Sequence, residues 1–324
     1  MQKILVTGAA GFVGSNLVKK LLQEGHQVIG VDNFSYGFER NMSDFRDHNA
    51  FSFYEMDVAK DFDFSESVDA IVHLASQKIP RYTNALRTLE ENNLMIKNVI
   101  KLWKKNKCKL IFSSTSDVYG KNPDLPFNEE SNLVLGSTKV KRWAYATSKI
   151  YSEQNIIANC DEYNIPYTIV RFFGSYGPNQ NLTWWGGPQS VFIDKALNNE
   201  EIELHGDGLQ TRTFTYVEDT VRALYACIVS EEANGEIYNI GSNPEDEITI
   251  KDLASLIWEL VRGKDDQPKL KLIPYENFGR YEDVRRRVPD ITKIKEHLGY
   301  TPQVSLRKGL TTTIEWQKSV LVHD

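Results

Sequence analysis

Cysteine is scarce in this chain. Cys108, Cys160 and Cys227 are the only three in 324 residues, and they stand far apart. An odd, scattered set excludes a disulfide framework and fits reduced thiols in a cytoplasmic protein. No Cys/His cluster has metal-ligand spacing, so no metal is expected. No apolar run is long enough to cross a bilayer, and no membrane partner is expected. The opening residues pass straight into an apolar strand, the pattern expected without a secretory leader. Positive charge is not in excess either: 38 Lys and Arg against 44 Asp and Glu leave a net −6. That balance argues against a dedicated nucleic-acid binder. Internal repeats and low-complexity tracts are missing. With 41% apolar and 25% charged residues, the composition is that of an ordinary globular chain of one large or two moderate domains.

What is present begins at the N-terminus. Ile4, Leu5 and Val6 read as a buried parallel strand. Gly8, Gly11 and Gly14 follow at the spacing Gly-x-x-Gly-x-x-Gly. The run from Ser15 to Gln23 then sets Leu17, Val18, Leu21 and Leu22 at helical spacing. Glycines let the backbone approach a pyrophosphate, and a helix N-terminus adds unpaired N–H groups and a positive dipole end. A second strand, Gln27 to Val31, ends in Asp32, where dinucleotide folds place a carboxylate against ribose hydroxyls. These parts together predict dinucleotide binding. No Lys or Arg follows Asp32 closely, Arg40 being the nearest, so NAD is expected rather than NADP.

Strands and helices alternate as far as about Arg171. Phe51–Glu55, Asp69–Leu74, Lys109–Ser113 and Tyr167–Val170 read as strands, and Asn84–Lys105 and Ala144–Tyr163 as long helices. The pattern is that of a parallel sheet covered on both faces. Beyond it come a turn-rich stretch at Gly174–Asn179, a helix opened by Pro188, and a strand at Glu236–Ile240 that returns to the first sheet. Helices are expected at Ile250–Val261 and Ile291–His297. The expected fold class is α/β: a Rossmann-like doubly wound parallel sheet with a smaller, discontinuous substrate-binding domain. Residues 1–173 and about 213–243 form the first unit, and 174–212 and 244–324 the second. Ligands are expected in the cleft at the carboxyl ends of the strands.

Tyr145 and Lys149 stand at i and i+4, on one face of a helix. A phenol is a poor base at neutral pH, but a nearby ammonium and a cationic nicotinamide favour the phenolate. Ser113-Ser114-Thr115-Ser116-Asp117-Val118-Tyr119-Gly120 ends the fifth strand with hydroxyls suited to a reacting sugar oxygen. These stretches resemble the extended short-chain dehydrogenases/reductases that act on nucleotide sugars. So do His73-Leu74-Ala75, Arg171 to Pro178 and Arg212 to Asp219, and the likeness runs over nearly the whole chain. The resemblance implies that Thr115, Tyr145 and Lys149 are catalytic. By it, Gly8, Gly11, Phe12, Val13, Gly14, Asp32, Asp57, Val58, Ala75, Tyr145 and Lys149 line NAD. Ser116, Asp117, Asn179, Gln189, Arg212 and Arg287 are the substrate-binding residues it implies, with Arg212 at the nucleotide and Gln189 to Phe192 over the base. It also implies a homodimer built from the long helices.

Branches of that family divide at a few positions. The sugar 4,6-dehydratases carry Asp-Glu after the threonine, where this chain has Ser116-Asp117. The UDP-glucuronate decarboxylases carry Thr-Ser-Glu, one methylene longer than Thr115-Ser116-Asp117. The spacer from Glu130 to Trp143 and the run Tyr281 to Pro289, with Arg287, resemble the decarboxylases. Gly174 replaces the asparagine usual in the sixth-strand turn, which leaves Asn179 or Asn181 for the diphosphate. The shorter Asp117 points to NAD-dependent 4-epimerisation of a UDP-hexose or UDP-hexuronate through a transient 4-keto sugar. Decarboxylation of UDP-glucuronate is the alternative. A non-catalytic nucleotide sensor is a further one, and it has no need of a tuned base.

Overall fold

The computed structural model describes residues 1–60, 62, 64–78, 84–278 and 282–323. Seven strands form one parallel sheet: β1 Lys3–Thr7, β2 Gln27–Asp32, β3 Phe51–Glu55, β4 Ala70–His73, β5 Lys109–Thr115, β6 Tyr167–Phe172 and β7 Glu236–Ile240. Their order is β7-β6-β5-β4-β1-β2-β3. β1 has β2 on one side and β4 on the other, so chain direction across the sheet reverses there. That switch point opens a crevice at the strand ends.

The helices are α1 Phe12–Gln23, α2 Ala85–Asn106, α3 Trp143–Tyr163, α4 Pro188–Leu197, α5 Val217–Val229, α6 Ile250–Arg262, α7 Thr292–Leu298 and α8 Leu306–His323. Strand alternation assigns them to the two faces. Ile4 and Val6 join Leu17, Leu21, Val221 and Leu224 on the face of α1 and α5. Leu5, between them, joins Ile96, Val99, Trp103 and Ile156 on the face of α2 and α3. β1 is therefore apolar throughout because both of its faces are covered. Among the described residues, no helix is long and apolar enough to cross a membrane.

Beyond the sheet, α4 and α6 pack together with Phe192 and Trp258 fully buried. Thr211–Arg212 pairs with Ile248–Thr249 on one side and with Arg286–Arg287 on the other. That register sets Arg287 directly beside Arg212.

Two differences from the sequence reading concern boundaries, and a third concerns two whole helices. α1 starts at Phe12 rather than Ser15, so the last glycine of the loop already lies in the helix. β5 runs on to Thr115, delivering that side chain at the strand's end. α5 and α8 were not anticipated as helices. The return of Glu236–Ile240 to the sheet, parallel to β6, is as expected.

Candidate active site

The crevice is a cleft of about 560 Å³. Its cofactor end is made of backbone. Gly8 has φ +74°, a left-handed conformation that glycine adopts without strain. A Cβ on Gly14 would lie 1.9 Å from the Gly8 carbonyl oxygen, so α1 can approach the turn only because that atom is missing. Across the turn, Asp32 Oδ2 accepts from Ala10 N–H at 3.0 Å and Oδ1 from Phe34 N–H at 2.8 Å. Burial pushes the Asp32 carboxyl up from its ordinary value, while those N–H groups pull the other way. Two donors do not exhaust a carboxylate, which keeps acceptor capacity for ribose hydroxyls. An open glycine cradle with a carboxylate at its rim fits NAD.

The reacting end is made of side chains. Lys149 is buried, and its Nζ donates to the Ser113 carbonyl at 2.7 Å, 5.9 Å from the Tyr145 ring centroid. Burial brings the Lys149 ammonium down to about 7, against the pull of Glu153. The Tyr145 hydroxyl is hydrogen-bonded to Ser76 and Thr115. Its pKa is pushed up by burial and by the Asp117 charge, and eased down by those hydroxyls and by Arg287. In this state the phenol holds its proton. A cation added beside it, as a bound nicotinamide ring adds, lowers the cost of losing that proton.

Past Thr115 the wall becomes a lattice of charge. Arg287 Nη1 lies 2.8 Å and Arg142 Nη2 3.3 Å from the same oxygen of Asp117. Asp283 Oδ1 is shared by Arg142 and Arg212, each at 3.4 Å, and its other oxygen accepts from the Tyr275 hydroxyl. Burial alone would raise both acids, but the guanidiniums outweigh it and hold each below the ordinary carboxylate range. Three arginines thus face two aspartates.

The structure brings the expected residues to one cleft: the glycine loop, Asp32, Asp57, Val58, Ala75, Thr115, Ser116, Asp117, Tyr145, Lys149, Gln189, Arg212 and Arg287 all line it. Asn179 is the exception and does not line the cleft. Its side chain turns to Ser15 Oγ at 3.1 Å, tying the turn to α1, and Asn181 lines the cleft in its place. Its backbone is left-handed, with φ +71°, a region in which asparagine is enriched. Tyr281, which opens the arginine-rich motif, lies outside the described residues. Sequence reasoning passed over Arg142 as a site residue. Its position three residues before Tyr145, at the start of α3, was the signal. Ser76 gave no local signal. Farther along, the Gln189 amide nitrogen and the Gln210 amide oxygen are buried without a protein partner. The three cysteines are unpaired, and among the described residues no cluster of His, Cys, Asp and Glu is placed to hold a metal.

A parallel doubly wound sheet with this cradle, and a Thr–Tyr–Lys set beside it, defines the class of dinucleotide-binding α/β proteins. The chain belongs to the NAD dependent epimerase/dehydratase family, whose model matches residues 4–241, and NAD is its cofactor. It is 35% identical to a UDP-N-acetyl-alpha-D-glucosaminuronate decarboxylase of Bacillus cytotoxicus, over 98% of each chain. Among solved structures it resembles the UDP-glucose 4-epimerase of Thermotoga maritima, with TM-score 0.84 and 31% identity over 98% of this chain and 99% of that one. It also resembles the UDP-glucuronic acid 4-epimerase of Bacillus cereus in complex with UDP-glucuronic acid and NAD. There the TM-score is 0.86 and identity 26%, over 98% and 99% of the two chains.

Proposed function

We propose that the protein decarboxylates a UDP-hexuronate, giving a UDP-pentose and CO2. The pairing of Arg142 and Arg287 on Asp117, beside Thr115 and Tyr145, supports a carboxylate at C6, and the 35% identity over 98% of each chain to a UDP-N-acetyl-alpha-D-glucosaminuronate decarboxylase favours its loss over its retention. A neutral hydroxymethyl group at C6 has no use for two guanidiniums, and a carboxylate does. Bound NAD supplies the means to oxidise C4 and to reduce it again. Tyr145 takes the C4 hydroxyl proton, assisted by the Thr115 hydroxyl and the Lys149 charge. The resulting ketone stands β to the C6 carboxylate. The Tyr145 and Thr115 hydroxyls then lie where they can stabilise charge growing on the C4 oxygen as CO2 leaves, and a proton from water takes the place of the carboxylate on C5 before C4 is reduced. Asp117 takes up part of the arginine charge, so the lattice attracts the substrate carboxylate without clamping it in place.

Epimerisation at C4 is the second reading, supported by the solved UDP-glucuronic acid 4-epimerase. The sequence favoured it because Asp117 is one methylene shorter than the decarboxylase glutamate. The shorter side chain nevertheless reaches both arginines, which weakens that ground. We place residues 174–212 and 244–324 as the nucleotide-sugar unit, with Gln189 and Gln210 offering amides to the base. We also place a homodimer contact on α2 and α3, where Leu86, Leu94, Tyr151 and Tyr163 are exposed. The deciding experiment is incubation with UDP-glucuronate and UDP-N-acetylglucosaminuronate, with products resolved by NMR. A UDP-pentose with stoichiometric CO2 is expected. A 4-epimer that keeps its carboxylate would promote the second reading, and conversion of neutral UDP-hexoses alone would overturn the carboxylate assignment.

A further inference from the structure

Tyr36 and Trp185 meet in the cleft. Their ring centroids are 4.2 Å apart with the planes 31° from parallel, a tilted contact slightly closer than the roughly 4.5–7 Å usual for aromatic pairs. They come from opposite walls. Tyr36 belongs to the loop after β2 that backs the cofactor cradle, and Trp185 to the turn that leads into α4 and the nucleotide-sugar side. Both line the cleft itself.

Each ring stands on a fixed base. The Tyr36 hydroxyl donates to Gln77 Oε1 at 3.0 Å, and Gln77 is held by Asn92 of α2 through bonds of 2.8 and 2.9 Å. One residue on, Gly37 passes so near the glycine loop that a Cβ would sit 2.7 Å from the Ala10 carbonyl carbon. Phe38 N–H then donates to the Ala10 carbonyl at 3.1 Å. On the other wall, Gly186 and Gly187 N–H donate to the Thr183 and Trp184 carbonyls at 2.8 and 3.1 Å, closing a compact turn. Trp184 anchors that turn against His205, with centroids 5.0 Å apart. Neither ring contributes to the Thr–Tyr–Lys chemistry. The pair joins two segments that line the same cleft as the glycine cradle.

We propose that Tyr36 and Trp185 form an aromatic clasp that retains NAD between turnovers. A cycle that oxidises and then reduces the same sugar leaves the cofactor unchanged, so its release serves no purpose in that cycle. Because Trp185 sits on the turn leading into α4, a nucleotide bound there steadies that turn and slows NAD release further. This inference needs only NAD as cofactor, so it stands or falls apart from the decarboxylase reading.

The test follows release of NAD from the purified holoenzyme into excess labelled NAD, with and without UDP. Tyr36→Leu and Trp185→Leu are each expected to release NAD about threefold to tenfold faster, the worth of one aromatic pair. The double variant is expected to be no faster than either single one, because both remove the same contact. UDP is expected to slow release in the parent and to lose that effect in the leucine variants. Tyr36→Phe, which keeps the ring and loses only the bond to Gln77, is expected to stay nearer the parent. Should one leucine variant fail to fold, the other carries the comparison. Unchanged release in a folded leucine variant, or a lowered melting temperature with unchanged release, would overturn the clasp. So would a double variant whose acceleration is the product of the two singles.

Discussion

The two ends of the cleft are built from different materials. The cofactor end is backbone: Gly8 in a left-handed turn, Gly14 against the Gly8 carbonyl, and Asp32 fixed by two N–H groups. The reacting end is side chain: Lys149 on a carbonyl, Tyr145 among hydroxyls, and aspartates shared among arginines. A backbone cradle has one shape and refuses added atoms. A side-chain lattice accepts isosteric exchange and keeps its shape while its charge changes. The first suits a cofactor common to a whole family. The second suits chemistry that differs from branch to branch.

The largest expected effect tests whether the ends are separable. Tyr145→Phe removes the oxygen proposed to take and return the proton and leaves the ring that fills the site. Turnover should fall by roughly two to four orders of magnitude. NAD affinity, measured by titration, should stay near the parent value, since the glycine cradle is untouched. A variant with near-parent turnover would take Tyr145 out of the mechanism. A variant that lost NAD along with activity would show the two ends to be one unit.

The opposite perturbation is smaller and aims at the backbone end. Gly14→Ala places a methyl 1.9 Å from a carbonyl oxygen, and neither atom belongs to a flexible side chain. The backbone must move, and overpacking of this kind costs about 1–3 kcal/mol. NAD affinity should drop roughly tenfold to a hundredfold, while residual turnover at saturating NAD falls much less. Equal NAD affinity in calorimetric titration would show that the cradle has slack the geometry does not display.

The same division explains what the sequence could tell. The cofactor end is local: strand, three glycines, helix and acid lie within 32 residues, and each part leaves a periodic or spacing signal. Tyr145 and Lys149 share one helix, so their relation too is legible. The lattice is not local. Asp117 meets Arg142 from 25 residues away and Arg287 from 170, and the pairing of Arg286–Arg287 with Thr211–Arg212 brings Arg212 beside Arg287. Short strands of two residues carry no periodicity, so nothing in the sequence announces that register. Asn179 misled for a related reason. Its type suits a phosphate ligand, but its side chain is taken up by Ser15 Oγ from 164 residues away, which residue type alone does not reveal. α1 was read as starting at Ser15 because Gly14 looked like part of the turn, although the glycine lies inside the helix.

The smallest expected effect sharpens the comparison at the side-chain end, through pH. Asp117→Asn keeps the shape of the residue and removes its charge. Arg287 and Arg142 then face an amide, and at neutral pH the melting temperature should fall by about 1–3 °C, the scale of a lost ion pair in a chain of this size. The pH dependence is the stronger check. Burial opposes the Asp117 charge, but the guanidiniums of Arg287, Arg142 and Arg212 outweigh it, so its folded pKa lies below the unfolded value of about 3.9. A group depressed in this way contributes stability that is fully present above its unfolded pKa. That contribution is lost as pH falls through the folded value, because protons then bind in both states. The gap between parent and Asp117→Asn should therefore hold steady from pH 7 to about pH 5 and narrow below about pH 4. An Asp32→Asn comparison should show the reverse trend, since burial leads there and raises the folded pKa. A parent-to-Asp117→Asn gap that stayed constant down to pH 3 would mean that the arginines do not hold this carboxylate, and with it would go the charge lattice on which the reacting end depends.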